Sequence, residues 1–212
     1  MHMTNIAIIE DNAQYRTAIS IILQLNEKFH LLHKLENCEE MIGRFEIDSP
    51  DVVLMDIDLP GKSGIWGVWE IKKRFSNIKI IMLTVFEDEE KIFGAIKAGA
   101  NGYLLKKDSP QKIIDSIEAV CKGESPMNGM IAAKVLDYFQ NQQQVKSQLD
   151  QSNVTEREKQ ILNLLIKGNS YKEIASTLFI SVETLNSHIK NIYKKLNVHS
   201  RSELAAKYGT NL

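Results

Sequence analysis

The chain has 212 residues, of which 43% are hydrophobic and 25% charged, with a formal net charge of −1 at pH 7. That length suffices for one or two domains with hydrophobic cores. Two cysteines, Cys38 and Cys121, are too few for a disulfide framework or a zinc site; each reads as a buried helix residue in a reducing compartment. No stretch approaches a membrane span, and Met1-His2-Met3-Thr4 lacks the features of a signal peptide, so a cytoplasmic protein with no membrane partner is expected.

The first 123 residues alternate short apolar runs with segments of helical period, which predicts an α/β fold: a doubly wound, five-stranded parallel sheet. The predicted strands are Ile6 to Ile9, Phe29 to Leu32, Val52 to Met55, Ile78 to Leu83 and Gly102 to Leu105. After the first strand, Tyr15, Ala18, Ile19, Ile22 and Leu23 recur at helical spacing and predict a helix packed on the sheet. A helix capped by Ser109, with Pro110 at its first position, buries Ile113, Ile117 and Val120 and ends before Gly123. Residues 124–152 read as a linker: Ile131 to Phe139 has helical character, whereas Gln140 to Asn153 is mostly Gln, Asn and Ser and reads as a spacer.

Residues 153–212 read as a smaller all-α domain. Thr155 with Glu158, Ser170 with Glu173, and Ser200 with Glu203 each fit a capping box, and each leads into apolar periodicity. Tyr171 opens a support helix, Phe179-Ile180-Ser181 makes a turn, and Val182 to Leu196 forms a second helix. Leu185, Ile189, Ile192 and Leu196 point inward, leaving Asn186, Ser187, Lys190 and Lys194 outward; by periodicity alone this is the face of an ordinary amphipathic surface helix, and being polar and basic it would also suit a DNA major groove. Charge divides the same way: residues 1–123 carry 15 Lys and Arg against 19 Asp and Glu, a net of −4, while residues 153–212 carry 9 against 5, a net of +4. Different partners are expected for the two regions.

Glu10 and Asp11 close the first apolar run, and Asp56 closes the third. Ligands gather at the carboxyl ends of strands in such sheets. Three carboxylates delivered there repel one another, and a hard divalent cation with oxygen ligands, Mg2+, would relieve that repulsion.

Several separated motifs carry a family resemblance: Glu10-Asp11, Met55-Asp56-Ile57-Asp58-Leu59-Pro60-Gly61, Ser63-Gly64, Leu83-Thr84, and Gly102-Tyr103-Leu104-Leu105-Lys106. With them, residues 4–121 resemble the flavodoxin-like receiver domain of two-component response regulators. Through Thr184-Leu185-Asn186-Ser187-His188-Ile189 and Tyr193-Lys194-Lys195-Leu196, residues 153–208 resemble the LuxR-type helix-turn-helix domain. Together they look like the NarL/FixJ subfamily. The resemblance implies that Asp56 accepts a phosphoryl group from a sensor histidine kinase. It also implies that Asp11, Asp56 and the Asp58 backbone carbonyl hold Mg2+, with Glu10 acting mostly through water. Thr84 and Lys106 would stabilise the phosphoryl oxygens, and Tyr103 would rotate inward as a switch. It further implies a homodimer on double-stranded promoter DNA, formed through a last helix that contains Leu204 and Ala205. Two departures stand out: Val85 follows Thr84 where many receivers have alanine or glycine, which is expected to narrow access to Asp56, and Lys107 follows Lys106 where many have proline. Two other classes use the same residues: a phosphate-ester hydrolase working through an aspartyl phosphate, and a DNA-binding or scaffold protein that needs no phosphate.

Overall fold

The computed structural model describes residues 3–151 and 153–208, with the backbone alone at 141–151 and 206. By its internal contacts the chain divides into two units, Met1–Val135 and Leu136–Leu212. The first holds five strands, β1 (Thr4–Ile9), β2 (Phe29–Leu35), β3 (Val52–Met55), β4 (Lys79–Thr84) and β5 (Gly102–Leu105), in the order β2-β1-β3-β4-β5. All neighbouring strands pair in parallel. The helices between them are α1 (Ala13–Gln24), α2 (Met41–Ile47), α3 (Gly64–Arg74), α4 (Glu89–Ala98) and α5 (Pro110–Cys121).

Burial on both faces explains why the strands read as continuous apolar runs. Ile6, Ile8, Val52, Leu54, Ile81, Leu83 and Leu104 pack with Ile19 and Leu23 of α1 and with Ile113, Ile117 and Val120 of α5. The alternate residues Ala7, Ile9, Val53, Met55, Ile80 and Met82 are equally buried. Each fully buried aliphatic side chain contributes about 1.5–3 kcal/mol relative to exposure. β2 extends three residues beyond its predicted end because it lies at the sheet's edge, where His33 and Lys34 keep contact with solvent.

Three details depart from the sequence reading. Ala18 is exposed: the buried stripe of α1 is rotated toward Ser20, whose hydroxyl is hidden by donating to the Arg16 carbonyl at 2.7 Å. Cys38 is buried, but in the bend between β2 and α2, where burial pushes its thiol up to about 11. Cys121 ends α5 as predicted for a helix residue, yet it is exposed.

After α5, Gly123 adopts φ +87° and turns the chain. Helix α6 then runs from Gly129 to Gln151, so the Gln-rich stretch continues a helix. In the second unit follow α7 (Glu156–Ile166), α8 (Tyr171–Thr177), α9 (Val182–Leu196) and α10 (Arg201–Tyr208). Ile161, Leu162, Leu165, Ile174, Leu185, Ile189, Ile192 and Leu196 form its core. The Thr155 and Ser170 capping boxes are complete. At α10 the box is displaced: Ser200 Oγ accepts from Glu203 N–H at 3.1 Å, but the Glu203 carboxylate accepts from His199 N–H at 2.7 Å. Among the described residues no helix is long and apolar enough to cross a membrane.

Candidate functional site

The carboxyl ends of β1, β3, β4 and β5 bring the predicted residues together. The Asp56 N–H donates to the Ile9 carbonyl at 3.0 Å, tying the end of β3 to the end of β1. The Lys106 N–H donates to the Thr84 carbonyl at 2.8 Å, extending the β4–β5 ladder by one residue. Gly64 lets α3 start close beneath: a Cβ there would lie 1.8 Å from the Asp56 carbonyl oxygen, so only glycine fits. Asn12 caps α1 through Tyr15 N–H, and its own N–H donates to Glu10 Oε1 at 3.1 Å.

Lys106 Nζ donates to Asp56 Oδ2 at 2.7 Å and to Glu10 Oε1 at 2.8 Å. Its side chain is 15% exposed, and those of Glu10 and Asp56 are 3% and 7% exposed. The Asp56 Oδ1 atom accepts from Ile57 N–H at 2.7 Å, which orients the carboxylate. Burial raises the Glu10 pKa, and the nearby Asp56 charge adds to that effect despite the opposing bond from Lys106. For Lys106, burial acts to lower the pKa, but hydrogen bonds to Asp56 and Glu10 outweigh it and raise it overall. One ammonium serves two carboxylates: the cation keeps its proton, while the acid pair lacks a second positive charge.

Asp11 is exposed, and one oxygen each from Glu10, Asp11 and Asp56 lies within 4.8 Å of the others. This all-oxygen set, one member open to water, fits the partly hydrated ligand sphere of Mg2+. The Asp58 side chain is exposed and pairs with Lys91 at 3.2 Å. Thr84 is fully buried at the end of β4, and its Oγ1 accepts from Phe86 N–H at 3.4 Å. Tyr103 is fully buried, and its hydroxyl donates to the Phe86 carbonyl at 3.0 Å. The inward position expected of a switch aromatic is therefore occupied in this structure. Val85 is 65% exposed, so its bulk stands largely in solvent. The peptide between Lys106 and Lys107 is trans, and Lys107 pairs with Glu87 at 2.5 Å.

Sequence reasoning missed two groups here. Arg16 Nη1 donates to the backbone carbonyls of Glu10 at 2.5 Å and Asp11 at 3.2 Å, bracing the acid loop, and Arg16 Nη2 pairs with Glu36 at 2.6 Å. The Tyr15 ring lies 5.0 Å from Lys106 Nζ, close enough for a cation–π contact. The first turn of a helix after an acidic strand end was a signal available for both.

In the second unit, Asn186, Ser187, Lys190 and Lys194 are all exposed on α9, opposite the buried Leu185, Ile189, Ile192 and Leu196. Lys195, next to Lys194, instead turns back and pairs at 2.7 Å with the buried Glu158, fixing α9 against α7. Burial acts to raise the Glu158 pKa, but bonds from Lys195 and Thr155 outweigh it and lower it. Leu204, expected to face a second copy, is fully buried in the core of this unit, because α10 needs an apolar side chain to dock on the other helices. Ala205 is exposed.

The elevated Glu10 pKa has a sign. A carboxyl that protonates more readily in the folded state favours folding below its unfolded pKa, and that contribution is lost as pH rises through the folded value. Relative to Glu10→Gln, the metal-free wild type is expected to lose unfolding free energy as pH rises from the ordinary glutamate range through the elevated one. Urea unfolding at a series of pH values measures this; a difference that does not change with pH would count against the assignment.

Comparison with known proteins agrees with this geometry. Residues 6–118 match the response regulator receiver domain, and residues 152–208 match the bacterial regulatory proteins of the luxR family. The transcriptional regulatory protein LiaR of Bacillus subtilis is 34% identical over 203 residues, covering 96% of this chain and 95% of LiaR. The oxygen regulatory protein NreC of Staphylococcus epidermidis is 35% identical over 204 residues, covering 94% of each. In fold, RcsB of Salmonella typhimurium aligns with a TM-score of 0.62 at 22% identity over 97% of this chain and 98% of that one. A structure of two RcsB dimers bound to two parallel DNAs aligns with a TM-score of 0.60 at 20% identity over 99% of each. With both domain families present in this order and such relatives matched along nearly its whole length, the chain belongs to the two-component response regulators of the NarL/FixJ type.

Proposed function

We propose that this chain is a phosphorylation-controlled transcriptional regulator of the cytoplasm, with a receiver at residues 1–123, a linker at 124–152 and a DNA-binding domain at 153–212. The observation that carries this reading is the position of Lys106 Nζ, 2.7 Å from Asp56 Oδ2 and beside Glu10, where three strand ends converge. Asp56 attacks the phosphorus of a phosphohistidine on a sensor kinase; the new P–O bond forms as the P–N bond breaks, and the histidine leaves. Phosphoryl transfer needs alignment and charge neutralisation more than covalent help. Lys106 offers an ammonium to the phosphoryl oxygens, and the Thr84 hydroxyl offers a hydrogen bond once it turns toward them. Asp11 and Asp56, with the Asp58 backbone carbonyl and with Glu10 acting mostly through water, would hold Mg2+, which when bound would supply further charge neutralisation.

A phosphoryl group adds nearly two negative charges and three strong acceptors. Drawing Thr84 toward them loosens its contact with Phe86 N–H, and the loop that Tyr103 holds through the Phe86 carbonyl shifts in response. A hydrolase reading has less support: Asp58, the position a general acid would need, is engaged with Lys91. In the DNA-binding domain, Asn186 and Ser187 would read base edges, while Lys190 and Lys194 would contact guanine or phosphate. A dimer on DNA would use exposed residues of α10 such as Ala205.

Incubated with Mg2+ and acetyl phosphate, the wild type is expected to gain one phosphoryl adduct by intact mass and Asp56→Asn none; equal labelling of both would refute the acceptor assignment. For the interface, Asn186→Ala is expected to cost about 1–3 kcal/mol and relax preference at one base position. Lys190→Ala, if its partner is a phosphate, weakens binding to all sequences and reduces the salt slope by about 1. Titrations at several salt concentrations separate these effects, and unchanged affinity in both variants would exclude α9 as the reading helix.

A further inference from the structure

The start of α6 is built into the sheet's edge. The Tyr103 N–H donates to the Pro126 carbonyl at 2.9 Å, and Tyr103 and Met127 form an isolated parallel bridge beside β5. Gly102 permits this approach, because a Cβ there would lie 2.8 Å from Pro126 Cγ and 3.0 Å from its carbonyl oxygen. Asn128 Oδ1 then accepts from Ile131 N–H at 2.8 Å to open the helix, and Ile131 is fully buried. One turn on, the ammonium of Lys134 donates to the backbone carbonyl of Glu87.

Glu87 lies in the loop between β4 and α4, three residues after Thr84. Within that loop the Phe86 N–H reaches Thr84 Oγ1, the Phe86 carbonyl accepts from Tyr103, and the Glu87 carboxylate pairs with Lys107. Two consecutive carbonyls are thus held by two different elements, Phe86 by β5 and Glu87 by α6. We propose that Lys134 is a positioning residue that clamps the first turns of α6 to this loop, so that displacement of the loop at Thr84 is passed to the helix leading toward the DNA-binding domain. The clamp rests on the geometry alone; its use in signalling rests on the function proposed above. A carbonyl is an apt target, since an ammonium bonds it whatever side chain the loop carries, and the bond is directional enough to be lost on a small shift.

Amide hydrogen exchange on the full chain tests this with Lys134→Met, which keeps the stem and removes the donors, and with Lys134→Arg, which restores them. Without phosphorylation, Lys134→Met is expected to exchange roughly tenfold faster in both 86–90 and 129–135, and Lys134→Arg near the wild-type rate. Equal rates in all three proteins would overturn the clamp. With acetyl phosphate and Mg2+, both segments of the wild type are expected to change, whereas in Lys134→Met only 84–89 changes. A response at 129–135 that survives in Lys134→Met, or that is missing from a wild type whose 84–89 segment responds, would overturn the transmission role. A wild type that takes no adduct by intact mass would refute the phosphorylation reading, while the unmodified comparison still decides the clamp.

Discussion

One shared cation organises the receiver. Lys106 reaches across from the end of β5 to Asp56 on β3 and Glu10 on β1, so the site exists only when the sheet order β2-β1-β3-β4-β5 is in place. Stability does not explain why these charges are buried. Removing ions from water costs several kcal/mol each, and an apolar cluster of the same volume commonly stabilises a fold at least as well. The arrangement is under-neutralised, with one ammonium for two buried carboxylates and a third, Asp11, at the rim. Such a site favours a further cation.

Around that centre the backbone is held by main-chain bonds. The Asp56 and Lys106 amides complete ladders to neighbouring strands, and the Gly64 N–H donates to the Ile57 carbonyl at 2.7 Å. The loop after β4 is different, because it is fastened by side chains from elsewhere: Tyr103, Lys107 and Lys134. Segments anchored by a few replaceable bonds are in general the ones that open most easily.

Much of this was legible from the residues. Apolar runs buried on both sheet faces located the strands, and an acid at the end of a strand located Glu10 and Asp56. The spacing of Leu185, Ile189, Ile192 and Leu196 separated the two faces of α9. Other features depended on long-range placement that spacing does not encode. Lys194 and Lys195 are adjacent and chemically identical, yet one is outward and the other is drawn to Glu158 on α7, 37 positions away. The resemblance alone offered Leu204 to a partner; in the folded unit Leu204 and Tyr208 are both buried against the other helices, a docking that the short α10 does not reveal until those helices are known. The Gln-rich stretch of α6 has few apolar residues, so its helicity escapes periodicity; glutamine is nevertheless a good helix former. The contact between Lys134 and the Glu87 carbonyl joins residues 47 positions apart through a backbone atom, which no sequence motif marks.

The measurement closest to the central claim is the affinity of the full chain for duplex promoter DNA, at one fixed salt concentration, with Asp56 phosphorylated and unphosphorylated. Coupling between two sites is typically worth 5- to 150-fold in affinity, and about tenfold tighter binding is expected on phosphorylation, with no change in Asp56→Asn treated identically. Equal affinity for the phosphorylated and unphosphorylated wild type, with the adduct verified by mass, would contradict phosphorylation control and leave a DNA-binding protein whose receiver serves protein contacts alone.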